Sequence, residues 1–212
     1  MEEFSYEECC NEEPESVLKI GDKLPSMRFI CYTPDGETIE KNTDDFRGRF
    51  LVIVTFPFCH TKISPSEIIA FGQNINRFID VGADVISLSS ENQHALNVWA
   101  NTPRNEGGIG NCVFPLGSDI SGNIGRKLGF FMEHEGHLLR ATMIVDPDGI
   151  IKHISMNMPY QARSVEEVLR LVKAFKFARE HGNVCPAQWQ EGHETIAPNV
   201  SQSKAYFSEK YK

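Results

Sequence analysis

The chain has 212 residues, a formal net charge of −8, 41% hydrophobic residues and 24% charged residues, which are ordinary proportions for a globular protein. No basic patch with interleaved aromatic residues occurs, so we expect no nucleic acid as a partner. No apolar run approaches the ~20 residues that cross a bilayer, so no membrane partner is expected either. Six scattered cysteines do not suit a disulfide scaffold, and no secretory signal opens the chain. We therefore expect a cytoplasmic location.

The acidity of the chain is concentrated at its N-terminus. Residues 1–15 carry seven glutamates and no lysine or arginine, which leaves 22 acidic and 21 basic groups in the rest. This composition predicts a solvated, disordered arm over residues 1–16, with a partner-binding arm as the alternative. Cys9 and Cys10 within it are interpreted as an exposed pair rather than a redox or metal switch.

The first predicted elements are a hairpin, a buried strand and a helix. Residues 27–33 alternate and run into a Pro-Asp-Gly turn, and residues 49–56 form a continuous apolar run, typical of a strand covered on both faces. Helical spacing follows at Ile68, Phe71, Ile75, Phe78 and Ile79.

The remaining elements alternate in type. They are a buried strand at 83–90, helices at 93–101 and 121–129, a hairpin turning at 147–149, a helix at 164–180 with Ser164 as N-cap, and a polar arm beyond Cys185. Parallel strands need helical crossovers, so this order predicts an α/β fold with a central mixed sheet flanked by helices. The order βαβ followed by ββα is that of a thioredoxin-like fold.

The stretch Ser64-Pro65-Ser66-Glu67, between the buried strand and its helix, has the pattern of a helix start. Ser64 is predicted to be the N-cap, Pro65 suits the first helical position, and Glu67 can complete a capping box. The same place would favour an anionic nucleophile, since a helix N-terminus stabilises a thiolate. A serine hydroxyl gains far too little from this field, and no general base is visible beside it.

Several ordered segments carry a family resemblance. They are Pro57-Phe58-Cys59-His60-Thr61-Lys62-Ile63-Ser64, "PSEIIAF" (65–71), "WANTPRNEGGIG" (99–110), "LRATMIVDPDG" (139–149), "ARSVEEVLRLVKAF" (162–175), "HGNVCPAQW" (181–189) and "AYF" (205–207). From about Val17 to Lys212 the chain resembles a typical two-cysteine peroxiredoxin, whose signature is Pro-x-x-x-Thr-x-x-Cys. Ser64 stands where that family has its peroxidatic cysteine.

The resemblance implies a fold, a site and partners. The implied fold is the peroxiredoxin type of the thioredoxin-like fold, with a domain at 17–180 and a C-terminal arm at 181–212. The implied site residues are Pro57, Thr61, Ser64, Glu67, Arg140, Arg163 and, as resolving cysteine, Cys185. The family reduces hydrogen peroxide and organic hydroperoxides, with thioredoxin as reductant and neither metal nor another cofactor. It forms homodimers through edge strands and, at a higher level, rings.

Ser64 cannot carry out that chemistry, because attack on the peroxide, formation of the sulfenic acid and formation of the disulfide each need sulfur. We therefore expect weak or absent peroxidase activity. Two alternatives stay open: a non-enzymatic scaffold or chaperone of the same fold, or a weak peroxidase using Cys59, whose thiol pKa His60 and Lys62 could depress. The residues around Thr61 also differ from the family's Asp-Phe-Thr-Phe-Val, which favours a naturally diverged paralogue over a single engineered exchange.

The remaining cysteines and histidines are predicted to have no role in catalysis or metal binding, apart from Cys185. Cys31 and Cys112 lie among apolar neighbours and are predicted to be small core residues. Cys185 is expected to be an exposed thiol, with simple burial as the alternative. His134 and His137 are assigned to a turn rather than to a metal site.

Overall fold

A seven-stranded mixed sheet forms the centre of the computed structural model, which describes residues 17–211. The strands are β1 (Arg28–Tyr32), β2 (Thr38–Asn42), β3 (Phe50–Phe56), β4 (Ala83–Ser89), β5 (Leu116–Ser118), β6 (Phe131–Met132), β7 (His137–Leu138), β8 (Arg140–Val145) and β9 (Ile151–Asn157). Their order in the main sheet is β2-β1-β5-β4-β3-β8-β9, and β6 and β7 form a separate ribbon.

The pairing directions confirm the predicted α/β fold. Strands β3, β4 and β5 run parallel, whereas β1–β2, β1–β5, β3–β8 and β8–β9 are antiparallel. Both predicted hairpins close on Pro-Asp-Gly turns, in which Gly36 and Gly149 adopt φ of 82° and 84°. Glycine suits these positions because a side chain would be strained there.

In the described part of the chain, five α-helices pack on the two faces of the sheet, and the sixth and last buries none of its residues. They are α1 (Ser64–Gln73), α2 (Ile75–Asp80), α3 (Gln93–Asn101), α4 (Asn123–Leu128), α5 (Val165–His181) and α6 (Val200–Lys210). The alternating side chains of β3 supply both cores: Val52 and Val54 pack with residues of α1, α2, α3 and α5, while Leu51 and Ile53 pack with residues of α4. This division explains the unbroken apolar run of β3, whose seven residues are all buried.

At three places the observed helices can be compared with the predicted ones. Ser164 caps α5 as predicted, its hydroxyl accepting from the Glu167 N–H at 3.3 Å. The helix predicted after residue 64 is two helices, because the backbone breaks at Asn74. The arm beyond Cys185, predicted to be irregular, contains the helix α6.

The C-terminal arm is attached to α5 by an aromatic contact. Trp189 is 2% exposed, and its ring lies 5.4 Å from that of Phe177 in α5. Arg170 adds a hydrogen bond of 3.1 Å to the Trp189 carbonyl. The predicted acidic arm of residues 1–16, with Cys9 and Cys10, lies outside the described residues. Within 17–211, no helix is both long and apolar enough to cross a membrane.

Candidate functional site

The candidate site lies where β3 passes into α1. The buried strand ends at Phe56, and Pro57 fixes the following loop to the end of β4, since its carbonyl accepts from Ser89 Oγ at 3.0 Å and from the Ser90 N–H at 3.2 Å. The loop then delivers Ser64 as the first residue of α1, with its side chain fully buried.

The prediction that Ser64 caps α1 is wrong. The residue before the helix is Ile63, whose side chain makes no capping hydrogen bond, and the Glu67 N–H donates to the Ile63 carbonyl at 3.2 Å. Ser64 already belongs to the helix, whereas a cap side chain comes from the residue that precedes it. The predicted capping box also fails, because the Glu67 carboxylate is bound elsewhere.

Instead, the Ser64 hydroxyl faces donors inside the protein. Thr61 Oγ1 lies 2.7 Å from Ser64 Oγ, and Arg140 Nη1 donates to Ser64 Oγ at 3.1 Å. Thr61 Oγ1 itself accepts from the Ser64 N–H at 3.1 Å and from Arg140 Nη2 at 3.5 Å. Because those two contacts fill the acceptor positions of the threonine, its own hydrogen is directed at Ser64 Oγ. The arrangement concentrates donors on one atom, at position 64.

A buried ionic cluster lies behind the serine. Arg140 Nη1 donates to Glu67 Oε2 at 2.7 Å, and Arg163 approaches both carboxylate oxygens of Glu67 at 2.9 Å. The side chains of Glu67, Arg140 and Arg163 are 1%, 2% and 4% exposed, so the ions are out of water. Charge-assisted hydrogen bonds of this kind hold the three groups in a fixed geometry.

The pKa of Glu67 reflects two opposing effects. Burial alone would raise the pKa of this carboxyl, but the hydrogen bonds and charge of Arg163, together with the charge of Arg140, hold it below its ordinary value. The carboxylate therefore stays ionised and orients both arginines.

Backbone carbonyls from two other elements position the arginines. Arg140 opens β8, and its Nε donates to the Pro159 carbonyl at 2.5 Å. Arg163 directly precedes the cap of α5, and its Nη1 donates to the Ala141 carbonyl at 2.6 Å. Neither carbonyl was predicted, and no sequence signal marks them, since every residue type carries one.

The structure brings five of the predicted site residues together: Thr61, Ser64, Glu67, Arg140 and Arg163. Pro57 acts on this group through the loop. Cys185 lies apart, in the C-terminal arm, where it is half-buried and its Sγ lies 3.6 Å from the Ala174 carbonyl of α5. Burial raises the pKa of the Cys185 thiol, and Arg170 partly offsets this.

The environment of Cys59 argues against this residue as the alternative nucleophile. Its side chain is fully buried in the core, and its backbone N–H donates to Glu91 Oε1 at 3.3 Å. Burial, reinforced by the charge of Glu91, raises the pKa of the Cys59 thiol far above its ordinary value. His60 and Lys62 do not lower the pKa of the Cys59 thiol as expected, since both side chains are exposed while the thiol points inward.

The other two described thiols are core residues. Cys31 and Cys112 are buried, and Cys112 Sγ lies 2.9 Å from the Phe114 carbonyl. Burial raises the pKa of Cys31, and it raises that of Cys112 to about 12. Across residues 17–211, no three His, Cys, Asp or Glu side chains are grouped as metal ligands.

Comparisons with known proteins point to one family. Residues 20–154 match the model of the AhpC/TSA family, and residues 174–211 match that of the C-terminal domain of 1-Cys peroxiredoxin. The chain is 44% identical over 173 residues to the mouse mitochondrial thioredoxin-dependent peroxide reductase, covering 82% of this chain and 67% of that protein. The fruit-fly protein of that name is 36% identical over 197 residues, covering 92% and 84%.

A solved structure gives the same result. The reduced 2-Cys peroxiredoxin of Plasmodium vivax superposes with a TM-score of 0.87 and 29% identity, covering 89% of this chain and 98% of that one.

The comparisons also correct one prediction and identify the family. The mouse and fruit-fly relatives are mitochondrial proteins, so the prediction of a cytoplasmic location is wrong. The prediction rested on a missing secretory signal, which does not separate these two compartments. The match over residues 20–154 and the identity to these relatives establish the resemblance noted above. The chain therefore belongs to the AhpC/TSA family, among its typical two-cysteine peroxiredoxins.

Proposed function

We propose that this chain has the site of a thioredoxin-dependent reductase of hydrogen peroxide and organic hydroperoxides, with Ser64 in place of the reacting cysteine. The observation that carries the proposal is the convergence of Thr61 Oγ1 and Arg140 Nη1 on Ser64 Oγ, at 2.7 and 3.1 Å. A hydroxyl needs no such set of donors, whereas a thiolate is stabilised by them. As the chain stands, turnover is weak or absent.

Each residue has a role in this proposal. A thiolate at position 64 would attack one peroxide oxygen and break the O–O bond, leaving a sulfenic acid and an oxyanion that takes up a proton from solvent and leaves as water or an alcohol. Thr61 orients the peroxide, and Arg140 stabilises the charge that develops on the departing oxygen. Arg163 and Glu67 are positioning residues, because they act through Arg140.

The later steps involve partners. Cys185 would form a disulfide with the sulfenic acid of a second subunit, releasing water, and thioredoxin would reduce it. We propose a homodimer joined through the free edge of β9, assembled further into a ring. In this proposal the domain at 17–180 and the arm at 181–212 are two functional parts, since the arm carries Cys185.

The test is peroxide consumption with thioredoxin and its reductase, for the native chain and Ser64→Cys. Activity in Ser64→Cys alone supports the proposal. Inactivity of a folded Ser64→Cys would overturn it and favour a non-enzymatic scaffold of the same fold. Normal turnover by the native chain that Cys59→Ala abolishes would also overturn it.

A further inference from the structure

A groove with basic side chains lies between α4, the ribbon of β6 and β7, and the start of β1. Its volume is about 770 Å³. Ile124 and Phe131 contribute to its apolar surface. Its charged lining residues, among those that the structure describes, are Arg28, Arg126, Lys127 and Glu133. With three basic side chains and one acidic one, the groove carries a surplus of positive charge.

The acidic residue of the groove is already bound by one of the basic ones. Arg126 donates to the two carboxylate oxygens of Glu133, from Nε at 2.8 Å and from Nη2 at 3.2 Å, and its guanidinium lies 4.1 Å from the centroid of the Phe131 ring. The side chain of Arg28 is 76% exposed, and the carboxylate of Glu40 approaches it only to 3.9 Å. The charges of Arg28 and Lys127 therefore make the groove complementary to an acidic segment.

Val17 fixes the point at which the acidic arm of residues 1–16 joins the described chain. Val17 lines the groove, and a Cβ added at Gly129 would lie 2.3 Å from Val17 Cγ1, so the valine packs directly on the glycine backbone. Leu18 packs on the core that includes Ile124 and Leu128 of α4. The acidic arm is thus attached to the body of the protein at the groove itself.

The acidic arm supplies the complementary charge close to that point. Residues 12–15 read Glu-Glu-Pro-Glu, so three of the seven glutamates of the arm lie two to five positions before Val17. Five extended residues span at most about 18 Å, which keeps these carboxylates near the groove. We propose that the groove binds residues 12–15 of the same chain, with the glutamates at Arg28 and Lys127 and with Pro14 on the apolar surface.

The covalent connection allows weak contacts to hold the segment. Exposed ion pairs contribute little individually, so they would not retain a separate acidic peptide. A segment joined to the groove at Val17 has a high effective concentration there, which favours binding within one chain. The groove shares no residue with the site around Ser64, so its occupancy is independent of the proposed function.

Limited proteolysis of the full chain by a glutamate-specific endoprotease measures this contact. Cleavage after Glu12 and Glu15 follows the fraction of chains whose segment has left the groove, so the double variant Arg28→Gln, Lys127→Gln should speed it by about fivefold or more. High salt should speed it in the native chain as well. Rates are normalised to a synthetic peptide of residues 1–20, which lacks the groove.

A matched control removes the same charge elsewhere. The double variant Lys62→Gln, Lys204→Gln changes two exposed lysines outside the groove and should keep the native cleavage rate. Equal rates in the native chain and the groove variant would overturn the proposal. If the groove variant does not fold, Arg28→Gln alone decides, because this side chain is exposed.

Carbodiimide cross-linking identifies the chain to which the segment binds. The reagent joins a carboxylate to an amine, so the native chain should give a cross-link between residues 12–15 and Lys127, with a lower yield in Arg28→Gln. Nitrogen-15-labelled and unlabelled chains are mixed in urea and refolded together, and both cross-linked peptides should then carry the same isotope. Pairs of mixed isotope would assign the groove to the arm of a second copy and overturn binding within one chain, as would a yield that Arg28→Gln leaves unchanged.

Discussion

Glu67 is the residue on which the geometry of the site depends most. Within residues 17–211 it is the one carboxylate bound by both Arg140 and Arg163, and all three side chains are buried. Removing one partner of a buried ion pair leaves the others uncompensated, which costs more than the pair itself contributes. The burial of Glu67 therefore makes it essential to stability as well as to the orientation of Arg140.

We expect Glu67→Gln to lower the free energy of unfolding by about 3 kcal/mol at neutral pH. Because the folded-state pKa of Glu67 lies below the ordinary 4.5, its contribution is present above that pH and is lost as the pH falls through the folded pKa. Urea unfolding across this range should show a steeper acid loss in the native chain than in the variant. Glu166→Gln, which breaks an exposed pair with Arg77, is the control and should change little. Parallel pH curves for native chain and Glu67→Gln would contradict this.

Thr61 Oγ1 makes hydrogen bonds to both the backbone N–H and the side-chain hydroxyl of Ser64. In Thr61→Val the Ser64 N–H loses its acceptor at 3.1 Å. Loss of a hydrogen bond worth about 1 kcal/mol should speed amide exchange at Ser64 about fivefold. The amides of Ile68 and Phe71 lie in the body of α1 and should not change. Hydrogen exchange followed by NMR measures this, and a uniform change along α1 would speak against it.

The sequence predicts the members of the site but not their contacts. The motif placed Thr61, Ser64 and Arg140 in one site, and they do meet. The capping prediction for Ser64 failed because local spacing cannot show an arginine 76 residues away in the chain. A long-range charged donor competes for the same hydroxyl, and only the folded chain shows it.

At the scale of elements, helix ends show which local signals decide a boundary. The start of α5 follows its sequence, since Ser164 accepts from the Glu167 N–H and no buried charge competes for its hydroxyl. The break between α1 and α2 was not predicted, because apolar spacing continues across Asn74. The helix α6 was missed because its weakly amphipathic sequence buries none of its residues.

Ser164→Ala should lower the free energy of unfolding by about 1 kcal/mol, the usual effect of losing a helix cap. Ser203→Ala, in α6, is the matched control, because the Ser203 hydroxyl donates to the Val200 carbonyl and caps no N–H. Urea denaturation of both variants measures the difference. Equal losses would mean that the Ser164 contact does not act as a cap.

At the scale of the whole molecule, the sheet has a free edge suited to association. Strand β9 ends the sheet order, and Met156, Met158 and Tyr160 in and beyond it are 53%, 52% and 75% exposed. Unpaired strand edges with apolar side chains are sites where chains join. These observations support the proposed homodimer.

We expect the double variant Met156→Lys, Met158→Lys to weaken association while leaving the fold unchanged, since both side chains are exposed. Sedimentation velocity over a dilution series measures the dissociation. Ile20→Lys changes another exposed apolar residue, away from β9, and serves as control. Dissociation of the control and not of the double variant would place the interface elsewhere.

Peroxide should leave the native assembly unchanged, because Ser64 cannot form the disulfide with Cys185 that would require the start of α1 to unfold. Size-exclusion chromatography with and without peroxide checks this. In Ser64→Cys, peroxide should produce a dimer on non-reducing gels that Cys185→Ala prevents. A peroxide-driven fall in the size of the native assembly would contradict the expectation.

The side chains around position 64 allow this chain to be compared with family members that carry a cysteine there. Serine and cysteine differ by a single atom, oxygen in place of sulfur, and the donors that would surround the sulfur are still in place around the oxygen. Because sulfur is larger than oxygen and forms longer hydrogen bonds, placing it at position 64 requires small outward shifts of Thr61 and Arg140. At position 64 itself the chemistry therefore differs through one atom, while the hydroxyl and guanidinium donors that surround this atom are present.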